Sequence, residues 1–258
     1  MFLTLFVVSL LGGFMSGLLG LGGAVVMIPL MLTVPPFLGV GDLSMKTVSG
    51  LSMIQVLFSS LSGLVIHKKN KFIHFESLLF IGIPIGFSAF AGSYLSKHIN
   101  NIFLMYVFVI LVFIAFVMFA MDKRFKKNNE PLNEIKINRF VSVFAGLVTG
   151  AFTGMIGVGG GFVLIPFMAY ILKIPFKATI GTSLGIIFIG AVAGSIGKIV
   201  SFQVEFALVL PVIIGSLLAA QFGARVNKKT PPDRLRHILM VVVILSMIQV
   251  IYKIIEAG

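Results

Sequence analysis

Eight long apolar stretches, separated by short polar breaks, make up most of the chain. Most of them contain about 20 residues, the length that a helix needs to cross the hydrocarbon core of a bilayer. Helices are expected rather than strands, because a backbone in lipid must pair its own N–H and C=O groups and no short alternating segments indicate a barrel. The pattern therefore predicts an all-α polytopic membrane protein. The predicted stretches are 2–37, 43–66, 75–95, 102–121, 140–172, 178–200, 206–226 and 235–255.

Composition agrees with this class. Hydrophobic residue types account for 58% of the chain and charged types for 11%, whereas a soluble domain carries about 25% charge. The formal charge is +12, but the basic residues lie mainly in the polar breaks, so they indicate membrane topology rather than a nucleic-acid partner. Cysteine is absent, which excludes disulfides, thiolate metal sites and cysteine nucleophiles.

An internal repeat organises the chain. SGLLGLGGAVVMIP at 16–29 aligns with TGMIGVGGGFVLIP at 153–166, with identity at 7 of 14 positions including four glycines and the proline. KTVSGLS at 46–52 likewise aligns with KATIGTS at 177–183. The sequence thus predicts one transporter-like domain, 1–258. Its related halves, 1–121 and 140–258, are joined by the polar linker 122–139.

The first and fifth stretches are too long for one crossing, and each contains a glycine cluster followed by proline. Both are predicted to be broken helices. If all eight stretches crossed once, the Lys and Arg residues would divide 9 to 11 between the two sides. If the two broken stretches are hairpins, only Lys46, Lys97, Lys198 and Lys253 lie outside, and the other 16 of the 20 basic residues lie inside. The positive-inside rule favours these inverted halves.

In the inverted arrangement the glycine clusters face each other near the bilayer centre, and a helix restarts after each. Unpaired N–H groups at two helix N-termini form a site for an anion. Neighbouring hydroxyl and amide side chains are further donors. The simpler alternative is that the glycines only allow tight packing and the hydroxyls bond to their own helices. The candidate binding residues are Ser16, Gly20, Gly22, Gly23, Ser49, Ser52, Gln55, Thr153, Gly157, Gly159, Gly160, Gly161, Thr179, Thr182 and Ser183.

Other chemistries find little support. The ionisable residues nearest the apolar stretches fall close to predicted helix ends, which argues against a proton relay or a divalent-cation path. The histidines have no metal-ligand spacing and are interpreted as interfacial. We therefore assign no catalytic residue, no metal site and no cofactor. The ionisable residues near helix ends are Asp42, Lys46, Glu76, Lys198 and Glu205. The histidines are His67, His74, His98 and His237.

The duplicated SGLLGLGGAVVMIPLML and TGMIGVGGGFVLIPFM, each followed by KTVSGLS or KATIGTS, resemble the TauE/SafE family over nearly the whole chain. The resemblance implies a bacterial inner-membrane protein that moves sulfite, sulfoacetate or related anions. The halves differ, since Ala24 corresponds to Gly161 and Leu51 to Thr182. We therefore expect the second half-site to be the better anion binder.

Together these features predict export of a small sulfur-containing oxyanion by alternating exposure of a central site. An inside-negative potential, worth about 2.3 kcal/mol per charge per 100 mV, would drive efflux of an anion without a coupled proton. Expected partners are a small anionic substrate, the lipid bilayer and, through glycine-rich faces, a second copy in a homodimer. A small-anion channel, a membrane-embedded enzyme using the His67 to His74 region, and a purely structural component are the alternatives.

Overall fold

The computed structural model describes residues 1–69, 74–121 and 137–257, and within them it contains ten α-helices and no strand. Eight of these helices are long and apolar enough to cross a membrane, which confirms the predicted all-α polytopic class. The linker residues 122–136 lie outside the described part. The helices are α1 Phe2–Leu19, α2 Ala24–Phe37, α3 Met45–Lys69, α4 Phe75–Leu95, α5 Asn101–Met121, α6 Arg139–Ile156, α7 Gly161–Pro166, α8 Phe176–Val200, α9 Val209–Lys229 and α10 Pro232–Ala257.

Glycines break the two long stretches where the sequence predicts. Residues 20–23 separate α1 from α2 and are called the first tip; residues 157–160 separate α6 from α7 and are called the second tip. Three glycines in each tip have φ between 69° and 86°, a conformation that other residues enter at a cost of about 1–2 kcal/mol. After the second tip, α7 continues through one π-helical turn, so this helical segment extends over Gly161–Ile171.

Small residues bring the outer helices close together. The most extensive packing joins α1 to α9 and α4 to α6. Gly13 lies against the backbone of Ser216, and Gly154 against the backbone of Ala89. Close backbone contact of this kind holds membrane helices together, because lipid offers no hydrophobic drive for their association. α1 and α9 correspond to α6 and α4 under the predicted repeat, so the two halves make equivalent contacts.

Contacts at the helix ends indicate how the first half is folded. A Cβ atom built on Gly41, just beyond α2, would stand 3.2 Å from Met1 Cε at the start of α1. The chain therefore returns to the end from which it set out, although α1 alone is 18 residues long. This supports a re-entrant first stretch, which remains a prediction of the sequence.

The second half gives a corresponding result. Arg139 Nε, at the start of α6, lies 3.0 Å from Glu76 Oε1 at the start of α4. The backbone N–H of His74 donates to Thr182 Oγ1, in the second turn of α8, at 2.8 Å. The starts of α4, α6 and α8 thus share one end of the molecule. Because only 172–175 separate the π-helical turn from α8, these contacts support a re-entrant second stretch, which also remains a prediction of the sequence.

Candidate functional site

The two tips lie side by side between α3 and α8. Val56 of α3 and Ile187 of α8 each contact both tips. A Cβ atom built on Gly22 would stand 3.0 Å from Val56 Cγ1 and 3.3 Å from Ile187 Cγ2; on Gly159 the same two distances would be 2.7 and 2.9 Å. Only glycine therefore fits at these positions. The tip residues are buried, so the structure brings together, inside the protein, the two glycine clusters that the sequence singles out.

Backbone donors at the tips lack acceptors. At the first tip the amides of residues 22–25, and at the second those of 159–162, have no hydrogen-bond acceptor among the residues that the structure describes. The first turn of any helix leaves such N–H groups unpaired. Most buried backbone amides are nevertheless hydrogen-bonded, so a group of eight buried amides without acceptors is unusual. Their positive ends point to a negatively charged ligand.

Hydroxyl groups satisfy the carbonyls of the same tips. Ser183 Oγ of α8 lies 3.0 Å from Gly20 O and 2.9 Å from Ile180 O of its own helix, so its one proton is shared between two acceptors. Ser52 Oγ of α3 donates to Gly157 O at 2.9 Å and lies 3.2 Å from Ser49 O of its own helix. The contacts with Gly20 and Gly157 each join one predicted half to the other. Both serines are predicted site residues, and here they hold the tips in place. Because these hydroxyls occupy carbonyl oxygens of the tips, the hydrogen-bonding groups that remain free there are mainly backbone N–H donors.

Gln55 and Ser16 add unpaired side-chain groups beside the first tip. Both residues are fully buried, and neither the amide of Gln55 nor the hydroxyl of Ser16 has a partner among the described residues. A Cβ atom built on Gly23 would stand 2.6 Å from Gln55 Nε2, so this amide adjoins the tip. Buried polar side chains nearly always have partners. Position 186, which corresponds to Gln55 in the second half, is isoleucine.

The remaining predicted side chains have partners of their own. The simpler interpretation, hydrogen bonding to the residue's own helix, describes Thr153 and Ser49, whereas Thr179 bonds to the chain just before α8 and Thr182 bonds to the segment before α4. The stronger affinity expected of the second half-site remains a prediction, while the unpaired side chains lie in the first. Thr153 Oγ1 donates to Thr149 O (2.6 Å), Thr179 Oγ1 donates to Ile174 O (3.2 Å), Thr182 Oγ1 accepts from the N–H of His74 (2.8 Å), and Ser49 Oγ donates to Lys46 O (2.8 Å).

One histidine differs from the expected interfacial set. His98 and His237 are exposed, but His74 is only 5% exposed. Its Nδ1 lies 2.8 Å from Ser77 Oγ and accepts the backbone N–H of Ser77, so the ring caps the start of α4. The side chain of His67 lies outside the described part. Among the described residues no group of three or more His, Asp or Glu side chains could hold a metal ion.

Lys198 is a buried polar residue that the sequence pattern places only at a helix end. It is the third residue from the C-terminal end of α8. It lies near a helix end, as predicted, yet its side chain is fully buried. The available signal is its position in the segment GSIGKIV, inside one of the apolar stretches. A lysine there can extend to the interface or turn into the bundle, and hydropathy alone does not distinguish the two.

The eight described helices that are long and apolar enough to cross a membrane, together with the family and relatives of the chain, make it a multi-pass membrane transporter. The chain belongs to the Sulfite exporter TauE/SafE family, whose sequence profile matches residues 5–250. It is 26% identical to the probable membrane transporter protein YunE of Bacillus subtilis, over 98% of both chains. It is 27% identical to the probable membrane transporter protein MJ0441 of Methanocaldococcus jannaschii, over 91% of this chain and 90% of that one. No solved structure matches.

Proposed function

We propose that this transporter exports a small sulfur-containing oxyanion, such as sulfite, sulfoacetate or a related sulfonate, through a central site between two inverted repeats. One observation carries the proposal: two adjacent buried tips present eight backbone amides without acceptors among the described residues. A tetrahedral or pyramidal oxyanion has several acceptor oxygens, and fixed amide dipoles can replace part of its hydration shell. The family's description as sulfite exporters supports this choice of anion.

The surroundings of the tips favour a negative guest of small size. Gln55 and Ser16 supply further polar groups without partners in the described chain. Val56 and Ile187 press on both tips from either side, so the space for a ligand is narrow and apolar at its flanks. Neither described ion pair involves a residue of the tips. A small anion would therefore meet donors without meeting a competing carboxylate.

Transport requires the tips to separate. In the present conformation they are buried and in contact, so the central site is closed. Rocking of one half against the other would expose the tip amides first to one side and then to the other, as in other transporters built from inverted repeats. The membrane potential would supply the driving force for efflux of an anion.

Flux of labelled sulfite from reconstituted vesicles tests the proposal. Gly160 has φ 86° and lies beside Thr149 and Thr153, whereas Gly39 has φ 64° with nothing within 4 Å of a built Cβ. Gly160→Leu and Gly39→Leu thus impose similar backbone strain at different places. We expect Gly160→Leu to abolish flux and Gly39→Leu to retain it.

Three results would count against the proposal. Absence of sulfite, sulfoacetate and sulfonate flux in the wild type would remove these substrates. Equal flux in the two glycine variants would remove the tips from the mechanism. Conductance in planar bilayers far above the turnover of a carrier would favour an anion channel that uses the same tips.

A further inference from the structure

Lys198 is held inside the bundle by an unusually complete set of oxygen atoms. Its side chain is fully buried, and it belongs to a helix long and apolar enough to cross the membrane. Four acceptors surround Nζ, which is the environment that an ammonium group with only donors requires. The acceptors are Ser49 Oγ (2.8 Å), Ser96 Oγ (2.8 Å), Met155 O (2.8 Å) and Gln203 Oε1 (2.9 Å).

No carboxylate balances this cation within the described part of the chain. The ion pairs found there join Arg139 to Glu76 and Lys253 to Glu256. Instead, a second lysine is linked to it through Ser49, whose Oγ accepts from Lys198 Nζ and donates to Lys46 O; Lys46 Nζ in turn donates to Lys97 O at 2.7 Å. Buried charges in membranes are costly and are usually paired. As an ammonium group, Lys198 is therefore solvated inside the bundle by neutral oxygen atoms and by no carboxylate of the described residues.

The cation lies directly behind the second tip. Its acceptor Met155 belongs to the last turn of α6, two residues before Gly157. Its acceptor Ser49 lies one turn along α3 from Ser52, which itself donates to Gly157 O. An anion held by the amides of this tip would therefore sit close to the ammonium group, separated from it by the turn of the chain.

The first half shows that capping alone does not require a charge. Leu18 corresponds to Met155 under the shift of 137 residues that aligns the tips. Its carbonyl accepts from the side-chain amide of Asn227, Nδ2 to O 2.7 Å, and Asn227 is also fully buried. The same carbonyl of the repeat is thus satisfied by a neutral group in one half and by a cation in the other. The positive charge calls for a separate explanation.

We propose that Lys198 is the buried countercharge for the transported anion, and that it makes binding at the tips stronger with each unit of negative charge on the ligand. This inference rests on the proposed function, because it requires an anion at the tips. It assigns to Lys198 a role in selecting substrates by charge. Binding of the anion then supplies the negative charge that pairs with the Lys198 ammonium group.

Two probes of similar size but different charge test the inference: isethionate, a monoanion, and sulfoacetate, a dianion at neutral pH. Each competes against labelled sulfite for binding to the purified full-length protein. Unit charges about 10 Å apart at an effective dielectric constant near 20 attract by about 1.7 kcal/mol, which is roughly 15-fold in affinity per unit of charge. We expect Lys198→Gln to reduce the preference for sulfoacetate over isethionate by about that factor.

Matched variants separate charge from structure. Lys198→Arg keeps the charge and should keep the preference. Asn227→Leu removes the corresponding neutral cap and should lower thermal stability without changing the preference. Ser49→Asp leaves Lys198 in place but pairs it with a carboxylate, so it should reduce the preference as Lys198→Gln does. This variant covers the case in which Lys198→Gln does not fold.

An unchanged preference for sulfoacetate in Lys198→Gln or in Ser49→Asp would overturn the inference. Equal loss of preference in Lys198→Gln and Asn227→Leu would overturn it too, since capping would then explain the effect. Failure of the wild type to bind any of the three anions would instead reject the proposed function, and the two failures are thereby distinguished.

Discussion

Replacing Gln55 by leucine separates the stability of the fold from the binding of the anion. The side chain of Gln55 is fully buried, and both polar atoms of its amide lack partners among the described residues. Leucine has a similar volume and no group that needs a hydrogen bond. Without ligand, Gln55→Leu should therefore stabilise the protein, even though it removes a residue that we place beside the anion.

The size of the effect follows from desolvation. A buried polar group without a hydrogen bond costs about 1–3 kcal/mol. We expect the variant to gain about 2 kcal/mol in the free energy of unfolding, which corresponds to roughly 4–8 °C in Tm for a chain of this size. A hydrogen bond to a charged ligand contributes about 1.5–3 kcal/mol, so sulfite binding should weaken by roughly tenfold to a hundredfold.

Gln203 provides the matched control. It is also buried, but its Oε1 accepts from Lys198 and its Nε2 donates to Ser201 Oγ at 2.8 Å. Gln203→Leu should therefore lower Tm, because it leaves these partners unsatisfied. Thermal unfolding in detergent micelles, with and without sulfite, measures both variants. If Gln55→Leu lowers Tm as Gln203→Leu does, or leaves the sulfite-induced rise in Tm unchanged, the reasoning about Gln55 is refuted.

Other contacts give narrower expectations. Ser52→Ala and Ser183→Ala each remove one bond to a tip carbonyl and should each lower stability by about 1 kcal/mol and reduce sulfite flux in vesicles; unchanged stability and flux would show that these hydroxyls do not hold the tips. Thr182→Val removes the acceptor for the N–H of His74 and should lower Tm by a similar amount while sulfite affinity stays unchanged. Glu76→Gln removes the surface pair with Arg139 and should change the free energy of unfolding by less than about 1 kcal/mol; a larger loss would show that this pair does more than a typical exposed one.

Element boundaries and glycine breaks were open to prediction because each depends on local constraints. Bilayer thickness fixes the length of an apolar helix, and a left-handed φ selects glycine at the breaks. Side-chain direction depends instead on distant partners. The bond from Ser52 to Gly157 joins residues 105 apart, and that from Lys198 to Ser49 joins residues 149 apart. No spacing along the chain reveals these pairings, so the sequence identified the tips but not which groups would be left unpaired.

The two halves are unequal, and their orientation in the membrane bears on the direction of transport. Lys198 shares one end of the molecule with Lys46 and Lys97, and the positive-inside rule assigns this end to the outside, since most basic residues lie at the other. An anion released from the tips toward that end approaches fixed positive charge. It also moves down an inside-negative potential. Duplication alone would give two equivalent half-sites; the unpaired amide of Gln55 on one side and Lys198 on the other make them unequal, while the direction proposed for transport follows from the membrane potential.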